Sequence, residues 1–203
     1  MAKTKYKFVC QSCGYTTAKW LGRCPECGAW DSLVEEAEVA TTRSGKSYLP
    51  TSSEKIKPRT IASVAQVQVE RLATGIHEFD RVLGGGVVPG SLVLLGGTPG
   101  IGKSTILLDA GLRFGQRGIK VLYVSGEESE EQTAMRAVRL GGARSNENLL
   151  IMTATDLDAI LAQANAVQPQ LLIIDSIQTM YNAELPTAAG SVGQVRECTA
   201  KLL

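Results

Sequence analysis

Eight residues, Gly97 to Ser104, constrain the fold of this chain more than any other stretch. Their order, Gly-Thr-Pro-Gly-Ile-Gly-Lys-Ser, matches the phosphate-loop pattern G-x-x-x-x-G-K-[ST] at every fixed position. The apolar segment Leu92–Leu95 before the loop predicts a short buried strand, and residues 104–116 after it predict a helix. A glycine-rich turn in that context lets backbone amides converge on phosphate oxygens, and the helix N-terminus adds positive potential.

The end of the motif carries the side chains that a nucleotide site needs. Lys103 supplies a mobile cation for the β- and γ-phosphates, and the Ser104 hydroxyl supplies a ligand for Mg²⁺. A glycine-rich turn with a chance lysine is the alternative, and the flanking strand and helix signals disfavour it. The predicted nucleotide-binding residues of the loop are Gly97, Thr98, Pro99, Gly100, Ile101, Gly102, Lys103, Ser104 and Thr105.

Two later apolar runs lead into acidic residues that are candidates for the same site. Leu171–Ile174 runs into Asp175, and Val121–Val124 is followed closely by Glu127. Ligands of doubly wound sheets gather at the carboxyl ends of the strands, so Asp175 is predicted to hold Mg²⁺, directly or through water. Glu127 is predicted to polarise the attacking water. The structural alternatives are a turn cap for Asp175 and a helix-dipole contact for Glu127.

Strand and helix signals alternate through the second half of the chain. Further strands are predicted at Lys120–Val124, Leu149–Met152 and Leu171–Ile174, with helices near 129–140 and 156–166. The strands are continuous apolar runs rather than alternating ones, which indicates burial on both faces. This order predicts an α/β fold with a parallel sheet flanked by helices and joined by right-handed crossovers.

Four of the five cysteines form two C-x-x-C pairs near the N-terminus, Cys10 with Cys13 and Cys24 with Cys27. Four thiolates at this spacing predict a closed tetrahedral Zn²⁺ site, which is structural rather than catalytic. A module this small has little core, so metal binding would supply most of its folding free energy. Two disulfides, a redox C-x-x-C pair or an iron–sulfur centre are alternatives. An intracellular setting disfavours the first, and the duplicated pair disfavours the second.

Basic and aromatic residues are interleaved through the same module. The basic residues are Lys3, Lys5, Lys7, Lys19 and Arg23, and the aromatic residues are Tyr6, Phe8, Tyr15, Trp20 and Trp30. This combination suits single-stranded nucleic acid, because bases stack on aromatic rings and cations attract phosphates. Packing of the aromatic rings into a small core is the alternative.

Composition divides the chain into three parts. Residues 1–30 are the cysteine-rich module, residues 31–60 are polar and predict a flexible linker, and residues 61–203 carry the α/β pattern. The net charge of +1 creates no global attraction for nucleic acid, so any such binding must use local patches. The N-terminus lacks the apolar core of a secretory signal, and no run is long enough to span a membrane. We therefore expect a cytoplasmic protein without membrane contact.

Together these motifs resemble the bacterial RadA (Sms) family of DNA-repair proteins, which are RecA-superfamily ATPases with an N-terminal zinc finger. The matching stretches are the finger with Trp20–Cys27, then Thr74–Ile76, Asp80–Gly86, the phosphate loop, Ser125–Ser129 and Asp175–Thr179. The resemblance implies a RecA-like P-loop ATPase core that uses ATP, Mg²⁺ and Zn²⁺. It also implies binding of single-stranded or branched DNA and promotion of branch migration during recombinational repair.

The same resemblance implies further roles and partners. Glu127 would be the water-activating glutamate, and residues 180–194 would form a loop that faces DNA. That segment is rich in Gly, Ala and Thr, which predicts a mobile loop. A homo-oligomer, either a ring or a filament, and a recombinase of the RecA type are the implied partners. The alternative functions are a nucleotide-gated DNA-binding module with incidental hydrolysis and a RecA-fold signalling ATPase that acts on proteins.

The C-terminal residues and the resemblance together predict an incomplete sheet. The helix signal at 193–203 stops without a cap or a polar tail, so we expect an N-terminal fragment. In the ATPase class concerned, the strand between the phosphate-loop strand and the Asp175 strand comes later in the chain. The resemblance therefore implies a gap in the sheet, and we expect these residues alone to be poorly stable and nearly inactive.

Overall fold

The computed structural model describes residues 5–38, 60–61, 70–141 and 146–203, and most of the predicted linker lies outside these ranges. The strands are β1 (Lys5–Cys10), β2 (Thr16–Thr17), β3 (Leu33–Glu38), β4 (Val121–Ser125), β5 (Leu149–Thr153) and β6 (Leu171–Asp175). The α-helices are α1 (His77–Val82), α2 (Lys103–Gln116), α3 (Glu130–Arg139), α4 (Leu157–Val167) and α5 (Val192–Leu202). A short 3-10 helix covers Ile177–Thr179.

The N-terminal strands form an antiparallel sheet in the order β2-β1-β3. Its register places Lys7 opposite Glu36 and Lys5 opposite Glu38. The cysteine-rich module therefore extends past the predicted boundary at residue 30, because Leu33–Glu38, at the start of the predicted linker, forms a strand paired with β1.

The second sheet is parallel, in the order β5-β4-β6, and has helices on both faces. All five residues of β4 are buried, as expected for the central strand of a covered sheet. On one face Val121 and Tyr123 pack with Ile173 and with apolar residues of α2. On the other face Leu122 and Val124 pack with α4 and with Cys198 of α5. The predicted α/β architecture with a parallel, helix-flanked sheet is confirmed.

The strand predicted at Leu92–Leu95 is absent from the described structure, so this prediction is wrong for the chain as it stands. The segment pairs with no strand among the described residues, and the exposed fraction of Leu94 is 81%. Strand β6 meanwhile forms an edge of its sheet. An apolar run becomes a strand only when a partner backbone accepts its hydrogen bonds, and within the described residues no strand occupies that place.

Local capping signals in the sequence correspond to the observed helix ends. Ser129 and Gln132 form the predicted capping box at the start of α3, with each side chain bonded to the other residue's backbone amide. Gly118 follows the end of α2 with a φ of 82°, a left-handed conformation that glycine adopts without strain. Among the described helices, none is both long and apolar enough to cross a membrane.

A carboxylate fixes the segment that leads into α1. Asp80 Oδ1 accepts a hydrogen bond from Thr74 N at 2.6 Å, and its Oδ2 accepts one from Gly75 N at 3.0 Å. Burial opposes ionisation of Asp80, but these amide hydrogen bonds and the charge of Arg117 outweigh it and lower the pKa of the carboxyl. Arg113 of α2 donates to the Gly75 carbonyl at 3.0 Å, so α2 holds this segment as well.

Candidate nucleotide and metal sites

The phosphate loop is exposed and leads directly into α2. Gly100 and Gly102 have φ values of 79° and 101°, which side chains with a Cβ adopt only under strain. Lys103 Nζ donates to the carbonyl oxygens of Gly97 and Thr98 at 2.8 and 3.0 Å. These two hydrogen bonds hold the ammonium group against the loop, where it can meet an incoming phosphate.

Helix α2 runs antiparallel to the strands of the parallel sheet. Near its C-terminal end, Asn146 and Asn148 donate to the carbonyls of Leu112 and Gly115 at 2.9 and 3.1 Å. Both asparagines precede β5, so this end of α2 lies at the amino edge of the sheet. The opposite end, with Lys103 in its first turn, is therefore directed towards the carboxyl edge, where ligands of such sheets collect.

Asp175 lies on the sheet face that α2 covers. Residues two apart in a strand share a face, so Asp175 points to the same side as Ile173, which packs with α2. Tyr123 on β4 is paired with Ile173, and its hydroxyl donates to Asp175 Oδ2 at 2.6 Å. Burial raises the pKa of Tyr123, and the hydrogen bond to Asp175 raises it further. The hydroxyl therefore keeps its proton and remains the donor.

The chain just beyond β4 is joined to the chain just beyond β6. Gly126 N donates to the Asp175 carbonyl at 2.8 Å, and Ser176 Oγ donates to Glu127 Oε1 at 3.0 Å. A side chain at position 126 would overlap Thr179 of the 3-10 helix, so only glycine permits this approach. The structure therefore brings the two predicted acids, Glu127 and Asp175, to one edge of the sheet.

The neighbouring glutamate has a different environment. Glu128 forms an ion pair with Arg136 of α3, and both side chains are partly buried. Its backbone amide also donates to Ser125 Oγ at 2.9 Å. Glu127, by contrast, is exposed and bonds to the residue after Asp175. These contacts give Glu128 a structural ion pair and leave the Glu127 carboxylate exposed, so Glu127 remains the candidate predicted from the sequence.

Within the described residues, no hydrogen bond links the phosphate loop to Glu127 or Asp175. Ser104 is half-buried in the first turn of α2, and Thr105 beside it is exposed. The phosphate loop with the start of α2 forms one part of the predicted site, and Glu127 with Asp175 forms a second part. Both parts lie at the carboxyl edge of the parallel sheet.

The four N-terminal cysteines converge on one point. All four sulfur atoms lie within 4.8 Å of one another, a separation that suits ligands of a single metal ion. The two C-x-x-C turns repeat each other: Gly14 N donates to the Cys10 carbonyl at 2.8 Å, and Gly28 N donates to the Cys24 carbonyl at 2.9 Å. Both glycines have positive φ, so each can fold back towards the preceding cysteine.

The pKa values of two of these thiols are shifted in opposite directions. The hydrogen bond with Ser32, whose Oγ lies 3.2 Å from Cys10 Sγ, lowers the pKa of Cys10 to about 6. For Cys13 a backbone hydrogen bond from Tyr15 lowers the pKa, but burial and the neighbouring thiols outweigh it and raise the value to about 12. A bound Zn²⁺ would neutralise the four thiolates together, and the all-sulfur donor set fits that ion.

Two tryptophans of this module lie at its surface. The exposed fraction is 55% for Trp20 and 75% for Trp30, so neither ring belongs to a core. The Arg23 guanidinium lies over the Trp30 ring, 5.7 Å from its centroid. This arrangement favours surface recognition for the tryptophans. Phe8 and Tyr15 instead pack against the small core of the module, as the alternative explanation predicts.

The segment expected to be a mobile loop is organised by one buried side chain. Gln194 at the start of α5 accepts a hydrogen bond from Asn182 N at 2.8 Å. Its amide nitrogen donates to the carbonyls of Asn182 and Thr187 at 3.1 and 2.9 Å. The loop therefore has a fixed backbone path between Asn182 and Thr187, which the Gly- and Thr-rich composition did not predict.

Comparison with known proteins decides the family. A family model described as an AAA domain matches residues 57–202, most of the chain. A second, described as a rubredoxin metal binding domain, matches residues 8–35. The chain belongs to the AAA domain family. Its AAA domain holds the phosphate loop and both acids, and the zinc ribbon that precedes it holds the four cysteines.

Curated relatives match this chain along its whole length. Each is named "DNA repair protein RadA", and the examples come from Halalkalibacterium halodurans (49% identical), Bacillus subtilis (48%) and Listeria monocytogenes (48%). The chain spans 44% of the length of the first two and 43% of the third. The resemblance found from the motifs is therefore confirmed.

Sequence reasoning missed three residues that shape the AAA site: Tyr123, Ser176 and Arg136. A tyrosine in a fully buried strand needs a hydrogen-bond acceptor, and that need was a readable signal for Tyr123. The partners of Ser176 and Arg136 lie 49 and eight residues away in the sequence, so no local pattern pointed to them.

Proposed function

We propose that this chain supplies the nucleotide-hydrolysing part of a DNA-dependent ATPase of recombinational DNA repair. The observation that carries the proposal is the placement of Asp175 on the face covered by α2, whose first turn completes the phosphate loop. Glu127 lies at the same edge through its bond to Ser176. The RadA names of the relatives support the repair process.

Each residue of the nucleotide site has a separate role in ATP hydrolysis. Backbone amides of residues 97–105 and the Lys103 ammonium bind the phosphates of ATP, while Ser104 and Asp175 hold Mg²⁺. Mg²⁺ supplies charge neutralisation at the phosphates when it is bound. Glu127 orients and polarises the attacking water, and its exposed carboxylate leaves room for that water.

We propose two DNA-binding surfaces on this chain, the loop at residues 180–194 and the surface around Trp20 and Trp30. Single-stranded or branched DNA contacts both, and around the tryptophans the bases stack on the rings while the Arg23 cation attracts the phosphates. ATP turnover drives branch migration by a cytoplasmic homo-oligomer that acts with a RecA-type recombinase. The sequence between β3 and residue 61 connects the zinc ribbon to the ATPase domain.

Turnover of ATP by the intact protein, with and without single-stranded DNA, tests this function. Lys103→Ala should reduce turnover to background while the zinc content stays unchanged. Lys120→Ala is the matched control, because Lys120 precedes β4 at the opposite edge of the sheet and bonds to the Val167 carbonyl. Wild-type turnover in Lys103→Ala would contradict the ATPase assignment. An ATP turnover of the intact protein that does not change when single-stranded DNA is added would contradict the repair assignment.

A further inference from the structure

A tyrosine that lies within the sheet bonds to the acid proposed to hold Mg²⁺. Tyr123 is 1% exposed, and its hydroxyl lies 2.6 Å from Asp175 Oδ2. An ionised carboxylate only accepts hydrogen bonds, so the phenol is the donor. Among the described residues, no other side chain donates to the Asp175 carboxylate.

The register of the sheet makes this contact specific. Tyr123 is paired with Ile173, and Asp175 is two residues further along the same face of β6. The phenol therefore spans diagonally from the middle of β4 to the end of β6. Its ring is held by the core formed with Leu108 and Phe114 of α2, so the hydroxyl has a fixed position.

We propose that Tyr123 is a positioning residue that fixes the Asp175 carboxylate for Mg²⁺. The inference rests on the proposed function, since it presupposes that Asp175 serves a nucleotide-bound cation. By occupying Oδ2, the phenol fixes the rotation of the carboxylate and directs Oδ1 to the cation or to one of its waters. Ligands of a metal are commonly oriented in this way by groups that do not touch the metal.

A purely structural role of Tyr123 would affect stability but not the Mg²⁺ dependence of nucleotide binding. A buried phenol needs an acceptor, so loss of its oxygen would change the free energy of unfolding whether or not a cation binds. A positioning role also changes how strongly nucleotide affinity depends on Mg²⁺. The two roles are therefore separated by a binding measurement rather than by stability or turnover.

The experiment measures ATP affinity of the intact protein as a function of Mg²⁺ concentration, for wild type, Tyr123→Phe, Asp175→Asn and the double variant. Tyr123→Phe keeps the ring and removes one oxygen. We expect its Mg²⁺ midpoint to rise by roughly three- to tenfold, the effect of losing one hydrogen bond, with metal-free affinity unchanged. In the Asp175→Asn background, Tyr123→Phe should not shift the Mg²⁺ midpoint any further.

The outcomes distinguish this inference from the proposed function. An unchanged midpoint in Tyr123→Phe, or an equal shift in the Asp175→Asn background, overturns the role of Tyr123 alone. If the ATP affinity of the wild-type protein does not depend on Mg²⁺ concentration, both the role of Asp175 and the role of Tyr123 are overturned. Tyr15→Phe in the zinc ribbon, the same chemical change remote in sequence, controls for loss of a phenol oxygen, and thermal melts confirm that each variant is folded.

Discussion

Ser176 Oγ donates a hydrogen bond to Glu127 Oε1 across 3.0 Å, which joins the residue after β6 to the acid beyond β4. Glu128, the next residue, is instead paired with Arg136. We therefore predict that Glu127→Gln lowers ATP turnover at least ~100-fold and leaves nucleotide affinity intact, because only the water-polarising group is lost. Glu128→Gln is the matched control and should keep turnover close to wild type. Steady-state ATPase assays and nucleotide titrations measure both, and the reverse ranking would contradict the assignment of Glu127.

The four-cysteine centre should contain one zinc ion per chain, because four thiolates within 4.8 Å form a closed tetrahedral set. Cys13→Ser should lose the metal and unfold the zinc ribbon, since structural zinc contributes about 10–16 kcal/mol in isolated fingers. Cys198→Ser, which alters the buried cysteine of α5, should keep full zinc content. Elemental analysis of the purified chain decides the identity of the metal, and stoichiometric iron in place of zinc would contradict the prediction.

The sheet and its helices were largely predictable because their signals are local. The apolar runs of β4, β5 and β6 and the capping box at Ser129 each lie within a few residues, and the structure has them where expected. The start of the predicted linker differs from the structure because β3 depends on pairing with β1, and the 22 residues from 11 to 32 lie between these strands. No local pattern indicates a pairing over that separation.

The candidate site was predictable in part for the same reason. The phosphate loop is one continuous motif, Asp175 directly follows an apolar run, and Glu127 follows another after two residues. The bonds Tyr123–Asp175 and Ser176–Glu127 depend on the parallel register of β4 with β6, and crossover elements separate those strands in the chain. A strand shifted by one residue would turn Tyr123 to the other face, so these contacts follow only from the three-dimensional register.

Asp80 should make stability sensitive to acid. Its folded-state pKa lies below the ordinary value of 3.8, so its contribution is complete above the unfolded-state pKa and is lost as pH falls through the folded value. At pH 7, Asp80→Asn should lower the free energy of unfolding by about 1–3 kcal/mol, because the Thr74 and Gly75 amides lose a charged acceptor.

The difference between wild type and Asp80→Asn should stay constant from pH 7 to about pH 5 and shrink below about pH 4. Urea unfolding at several pH values measures it. Glu78→Gln is the control on the same helix, since its pair with Arg81 is exposed and should contribute little at any pH. A difference that grows on acidification would show that the sign assigned to Asp80 is incorrect.

Leu94 should contribute little to the stability of the chain, because within the described residues the segment Leu92–Leu95 pairs with no strand and Leu94 is 81% exposed. Leu94→Ala should cost less than about 0.5 kcal/mol here, because Leu94 is already in solvent. Leu108→Ala removes a fully buried side chain and should cost about 2–5 kcal/mol in urea unfolding of the same chain. Equal costs for the two substitutions would contradict the exposed position of Leu94.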